Sequence, residues 1–255
     1  MLILTGNEFT TNEATFTDGT INVINRPFSK GYTLTITGTE LKPALFDGNN
    51  ANLGYAGCLY ASALRISSDV YLLLTITGVT FKGNEAKYGS VMYLDGTLSM
   101  ESTSKMSSCT ISSNTNASLG GIYLEYHKGI FTIDDNDFIG NSGSGSALYI
   151  VTWLNSDLNV CSISVTNNDF RDHTGKDVIL LGSTAIYSTL NMVNNHFEDN
   201  SVICVYSIYA LVNDTDSKYI KNSSSNGTAL TVSESSLYKG VGLTFTNNSA
   251  TDLGG

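Results

Sequence analysis

Apolar residues in this chain come in bursts of two to five, broken by Gly, Asn, Ser and Thr, and nowhere follow the 3.6-residue period of a helix. The stretch ITGVTFKGNEAKYGSVMY, residues 76–93, shows how a burst is organised. An apolar residue leads, a small polar turn follows, and an aromatic stands five positions after the leader. A Gly/Asn turn and a second apolar run behind a glycine complete the unit. The first half, apolar-x-[Gly/Asn]-x-x-Phe, recurs as Leu4–Phe9, Ile36–Leu41, Ile76–Phe81, Ile133–Phe138, Val165–Phe170 and Met192–Phe197. Weaker copies are read at Ile111–Asn116, Ile220–Ser225 and Phe245–Ala250, giving nine at intervals of 22 to 40 residues. Repeats of this length are the mark of stacked supersecondary units.

Each unit is too short and too polar to bury a core of its own. The expected solution is an all-β coil of short strands, one turn per unit, each strand pairing in parallel with its equivalent in the next turn about 4.8 Å away. The fold class predicted is a right-handed parallel β-helix (a β-solenoid) of about nine turns, a rod roughly 40 Å long at that spacing. Because the repeat runs without a linker, residues 1–255 are read as a single domain.

Two columns follow from the alignment. The third position, read as Gly6, Gly38, Gly78, Ser113, Asp135, Asn167, Asn194, Asn222 and Asn247, suits a corner of left-handed backbone, and stacked asparagines there can bond along the axis. The aromatic position, Phe9, Leu41, Phe81, Asn116, Phe138, Phe170 and Phe197, is expected to point inward, with Asn116 in a displaced corner.

Charged residues make up only 14%, and the net charge of −10 argues against nucleic acid, which needs clustered Lys and Arg. The longest apolar run, residues 202–212, is too short to span a bilayer. Cys58, Cys109, Cys161 and Cys204 lack metal-ligand spacing and are read as small hydrophobes, with Cys109 and Cys161 in equivalent places. The three histidines are scattered, so neither metal nor cofactor is expected.

The units resemble the pectate-lyase-like β-helix fold, and more narrowly the repeats of polymorphic outer-membrane proteins and related surface adhesins. The resemblance rests on Phe-x-x-Asn at Phe9–Asn12, Phe46–Asn49, Phe81–Asn84, Phe138–Asn141, Phe197–Asn200 and Phe245–Asn248. It also rests on the glycine elements at residues 120–122, 145–148 and 227–230, although none reads Gly-Gly-Ala. It implies a surface or extracellular contact protein, with no catalytic residues to carry over.

Enzymes also use this fold, holding acidic residues on adjacent turns. The matching candidates are Asp137, Asp169 and His196, just before the aromatic on three successive turns, which would bring two carboxylates within about 5 Å, the retaining-glycosidase range. The same column is polar elsewhere, and no basic residue is expected to gather beside it, so a solvated edge is the favoured reading. Tyr60, Tyr93, Tyr123 and Tyr149, with Tyr206 beyond them, follow the glycine element and have outward parity. They make either a binding stripe for sugars or another rod, or packing covered by loops such as residues 153–159. Of five Asn-x-Ser/Thr sites, Asn213 and Asn226 are the better glycosylation candidates; Asn116, Asn222 and Asn247 are the others.

The first copy is already in register at Leu4 and nothing amphipathic stands at either end to cap a turn. The expectation is a section of a longer repeat protein, or a subunit whose ends stack on copies of itself. The functional expectation is a non-catalytic extracellular structural or adhesive β-helix. A polysaccharide-active enzyme (lyase or glycoside hydrolase) and a carbohydrate-binding module are the competitors.

Overall fold

The computed structural model describes residues 1–14, 19–25, 31–51, 53–63, 71–98, 102–152, 161–183 and 189–253. No described residue is helical, and the strands pair in parallel from turn to turn, as in Leu34 on Leu74 and Phe138 on Phe170. The chain is an all-β parallel β-helix, as its repeat predicts. None of its elements is a helix long and apolar enough to cross a membrane.

One turn shows the construction. Leu72–Thr77 lies on the first face, Val79–Lys82 on the second, Glu85–Tyr88 on the third and Met92–Thr97 on the fourth; Ser104–Ser107 then begins the next turn on the first face. The second face is a sheet of nine strands, one from each copy of the motif. The first and fourth faces merge into one 16-stranded sheet because Ile122–Asp134 runs unbroken from one to the other.

Two corners frame each strand of the second face, and both are left-handed except before Ala44–Asp47, which follows the excursion at Leu41. Before the strand stand Gly6, Gly78, Ser108, Asp135, Asn167, Asn194, Asp216 and Gly242, with φ from 50° to 67°. After it stand Thr11, Gly48, Gly83, Ser113, Gly140, Asp172, Asp199, Lys221 and Asn247, with φ from 51° to 63°. Gly, Asn and Asp, which tolerate this region best, hold most of these places.

The second face supplies the aromatic side of the core. Phe9, Phe46 and Phe81 stack at 4.7 and 5.0 Å between ring centroids. Phe138, Phe170, Phe197, Tyr219 and Phe245 continue the stack at 4.7–5.0 Å, and Ile111 bridges the two runs in register. Opposite lie the buried leaders Ile36, Ile76, Met106, Ile133, Val165 and Met192 of the first face.

Three register assignments are corrected by these pairings. Leu41 is not in the aromatic column: it is 95% exposed on a small excursion, and Phe46 takes the inward place. The copy around Ile111 runs from Met106 to Ile111, so Asn116 lies on the third face. The copy before Asn222 runs from Asp214 to Tyr219, and Phe245 closes the next copy instead of opening one. Ser113 and Asn247 are therefore second-corner residues, while Asn222 is buried. Ile111 and Tyr219 take the inward slot in place of the expected Phe, and the excursion at Leu41 lengthens the gap before Phe46, so the expected spacing fails at all three.

Three residues after each aromatic slot but that of Phe170 stands an asparagine of a ladder along the axis. Asn12, Asn49, Asn84, Asn114 and Asn141 form one ladder, each Nδ2 donating to Oδ1 of the next at 2.7–3.0 Å. Asn200, Asn222 and Asn248 form another. Each amide also donates to the carbonyl of the aromatic slot one turn back, as Asn84 does to Phe46 and Asn200 to Phe170. The ladder thus satisfies corner groups that burial would otherwise leave unpaired.

Candidate functional site

The outer side of the second face brings Asp137, Asp169 and His196 into register on three consecutive turns, as their spacing predicts. Lys218 continues the column. Two residues further along each strand, also facing outward, come Ile139, Arg171, Glu198 and Ile220. The expectation that no basic side chain gathers here is corrected: Arg171 Nε lies 2.8 Å from Asp169 Oδ2.

The contacts form a chain of charges. His196 Nδ1 is 3.5 Å from Asp169 Oδ1, His196 Nε2 is 3.7 Å from Glu198 Oε2, and Lys221 Nζ donates to Glu198 Oε1 at 3.1 Å. Arg171 Nε makes no hydrogen bond despite its short distance, so it acts on Asp169 as a charge and not as an aligned donor. Burial raises the Asp169 carboxyl above its usual range, outweighing the pull of Arg171 and His196. The Lys221 hydrogen bond holds Glu198 below its usual range. Asp137 is exposed. The two carboxylates that a hydrolase would need are thus adjacent, but Asp169 already faces a guanidinium and an imidazole.

On the outer side of the fourth face Tyr60, Tyr93, Tyr123 and Tyr149 pair turn on turn, as their parity predicts. Their rings stack on one another at 5.5, 4.7 and 5.2 Å. Leu180 interrupts the column before Tyr206. Tyr93 and Tyr123 are 7% and 8% exposed, and Tyr60 and Tyr149 are half-buried. Tyr55 packs edge-on against Tyr93 at 5.2 Å, and Tyr88 and Leu119 complete the cover. Residues 153–159, expected as a covering loop, lie outside the described residues. Burial first, then a 2.5 Å hydrogen bond to Glu125 Oε2, pushes the Tyr93 phenol well above its ordinary value. Stacking turns the ring faces toward each other, so the column presents edges and hydroxyls to a partner.

Two interior groups carry chemistry that the motif alone does not announce. Asp214 fills an inward leader slot between Met192 and Gly240, and its carboxylate accepts from Ser217 Oγ, Tyr219 Oη and Tyr238 Oη. His173 fills the asparagine slot between Asn141 and Asn200. Both could have been found as polar exceptions at fixed motif positions once the register was right.

Cys58, Cys109 and Cys204 are buried free thiols, in keeping with their reading as small hydrophobes; burial pushes Cys109 up to about 11. Cys109 lies in a corner whereas Cys161 pairs with Gly129 inside the sheet, so the two are not equivalent; the Cys161 side chain lies outside the described residues. Among the glycosylation candidates, Asn213 is half-buried and donates to Asn191 Oδ1 at 3.0 Å. The backbone of Asn226 ends the strand Ser223–Asn226, and its side chain lies outside the described residues. Asn116 is buried, and Asn247 is exposed. No group of three or more His, Cys, Asp or Glu among the described residues is placed to hold a metal ion.

No protein-family model, curated protein or solved structure matches the chain.

Proposed function

We propose that the chain is a non-catalytic structural and adhesive β-helix of an extracellular or cell-surface fibre, in which turn stacks on turn beyond a single copy. The observation that carries this reading is the uniform direction of the asparagine ladder. Except at the step from Asn141 to His173 and at His173 itself, each rung donates through N and Nδ2 to Oδ1 of the following turn, as Asn49 does to Asn84 and Asn84 to Asn114. A turn at one end of such a stack therefore offers an acceptor, and a turn at the other offers donors. Phe245, half exposed, and the half-buried Phe9 offer matching rings in the same column. Head-to-tail stacking of this kind does not close on itself and makes filaments. The resemblance to surface-adhesin repeats points the same way.

Electron microscopy and sedimentation of the chain over a range of concentrations test it. The expected result is rods that lengthen with concentration and are shortened by Phe245→Asp. Rods of fixed length at all concentrations, with Phe245 covered by other parts of the protein, would reject self-assembly.

A second reading, a polysaccharide lyase or hydrolase, draws on the register of Asp137 with Asp169. Cleavage of an acidic or neutral polysaccharide, abolished by both Asp137→Asn and Asp169→Asn, would move it into first place. A sugar-binding module is less favoured, because the tyrosine faces are occupied by one another.

A further inference from the structure

Among the nine described rungs of the asparagine ladder, one is not asparagine: His173. Its ring is fully buried. It reproduces half of what an asparagine does there. Its backbone N–H donates to Asn200 Oδ1 at 2.9 Å, and ring Nε2 lies 3.1 Å from the Phe138 carbonyl. That carbonyl can only accept, so Nε2 carries the proton. What the imidazole lacks is an oxygen for the preceding rung. Asn141 Nδ2 donates to the Ile111 carbonyl, and among the described residues no side-chain amide bond crosses from Asn141 to the turn of His173, where Thr174 N–H donates to the Asn141 carbonyl at 3.1 Å. In its place Ser146 Oγ lies 2.9 Å from His173 Nδ1, which in the neutral ring must accept the hydroxyl proton.

The same hydroxyl lies 3.1 Å from the Asp177 carbonyl. A proton arriving at Nδ1 therefore loses no hydrogen bond: Ser146 swings its own proton to Asp177 and accepts from the ring. What changes is that a full charge sits in a closed interior. The groups facing that charge are few. Residues 138–146 of the preceding turn contain no titratable side chain. On its own turn Asp172 and Lys176 point to solvent, as does Asp199 of the following turn. Of these carboxylates Asp177 is the buried one, and it is held by Gly145 N at 2.6 Å and Ser144 Oγ at 3.3 Å. Burial raises its proton affinity, so its own protonation favours the closed state and offsets part of the response of the imidazole.

We propose that the step between the turn of Asn141 and the turn of His173 is an acid-labile joint, at which the solenoid opens while the asparagine ladders on either side stay closed. Burial holds the imidazole down to about 4, against 6.5 when free, so acid favours any state in which the ring meets water.

Hydrogen exchange followed by mass spectrometry, expressed as protection factors, tests this on the unaltered chain and on His173→Asn. Between pH 7 and pH 4.5 the expected loss of protection at residues 142–147 and 173–179 is on the order of a hundredfold, the ratio that linkage gives for these two proton affinities. Residues around Asn49 and Asn84 should change far less, and His173→Asn should abolish the local loss. Uniform loss along the rod, or the same acid response in the variant, would overturn the proposal. The nitrogen shifts of the His173 ring, read in the unaltered chain, provide a check that does not depend on the variant folding. Titration near the ordinary histidine value would refute the joint.

Discussion

Asn84 donates through both its backbone N–H and its Nδ2 to Oδ1 of Asn114, at 2.9 Å in each case. One side chain thereby closes the corner of its own turn and ties it to the next, while its Nδ2 also reaches the Phe46 carbonyl and its Oδ1 accepts two bonds from Asn49.

Asn84→Ala should therefore be far more costly than its size suggests. It removes four hydrogen bonds of the buried corner, two accepted from Asn49 and two donated to the Phe46 carbonyl and Asn114 Oδ1, each worth about 0.5–1.5 kcal/mol, so a loss of roughly 2–6 kcal/mol is expected. Denaturant unfolding reads it. Because neighbouring turns couple most strongly in a solenoid, an early local transition counts as the same result. A cost under about 1 kcal/mol would show that water replaces the rung and that the ladder contributes little.

The stability difference between the unaltered chain and His173→Asn should depend on pH in a defined direction. The folded-state affinity of the imidazole is depressed, to about 4 from 6.5, so the unfolded chain binds the proton first. Its contribution is complete above pH 6.5 and is lost as pH falls towards 4, by up to roughly 3 kcal/mol. Asp177, whose affinity is raised, acts with the opposite sign but is present in both proteins. Denaturant midpoints between pH 7 and pH 4 should converge for the two chains or cross in favour of the variant. Parallel curves would mean the ring is hydrated in the folded state.

Most of the architecture is legible from spacing alone, because a Phe slot and a Gly/Asn corner recur wherever the turn is regular. The alignment slips where the slot holds Ile111 or Tyr219, or where the excursion at Leu41 separates Ile36 from Phe46. A single wrong anchor moves a whole strand to the neighbouring corner. The outer acidic column is legible for the same reason, since residues before successive aromatics must stack. Arg171 and Glu198 stand two residues beyond Asp169 and His196 and so share their face, a period-two relation that the column reading passed over. Coverage of the tyrosine stripe is one of the two sequence readings, but the covering residues were not legible, because Tyr88 comes from the third face and Tyr55 from outside the strands.

Two glycines with the same backbone conformation should respond differently to alanine. Gly140, at φ 60°, has nothing within 4 Å of an added Cβ, and its equivalents in other turns include Asp172 and Asp199. Gly140→Ala is expected to cost only the left-handed term, about 1–2 kcal/mol. Gly78, at φ 64°, would place the new carbon 2.7 Å from the Gly38 carbonyl oxygen, a backbone atom of the adjacent turn. Gly78→Ala must also push two turns apart and should cost at least about 2 kcal/mol more than Gly140→Ala. Equal costs would mean that the turns separate freely at this corner.

The buried carboxylate of Asp214 gives the sharpest test of how the interior tolerates charge. Ser217 Oγ donates to Oδ1 at 2.5 Å, while Tyr219 and Tyr238 donate to Oδ2 at 2.6 and 2.5 Å. Burial pushes both phenols well above their ordinary values, so they remain donors throughout the usual pH range. Removing the carboxylate takes the acceptor from all three hydroxyls at once, and leaves Tyr219 Oη only Tyr238 Oη at 3.3 Å. Tyr219→Phe should cost about 1–3 kcal/mol, and Asp214→Leu alone about 2–5 kcal/mol, since it strands two hydroxyls. Together they rebuild the ordinary unit, an aliphatic leader five residues before a Phe. Ser217 keeps the bond it accepts from Asn195 N, and the half-buried Tyr238 can turn to water. The double variant is therefore expected within about 1 kcal/mol of the unaltered chain, with a coupling between the two sites of at least about 2 kcal/mol. Additive losses in the double-mutant cycle would mean that Asp214 is stabilised mainly by the field of its surroundings and not by these hydroxyls.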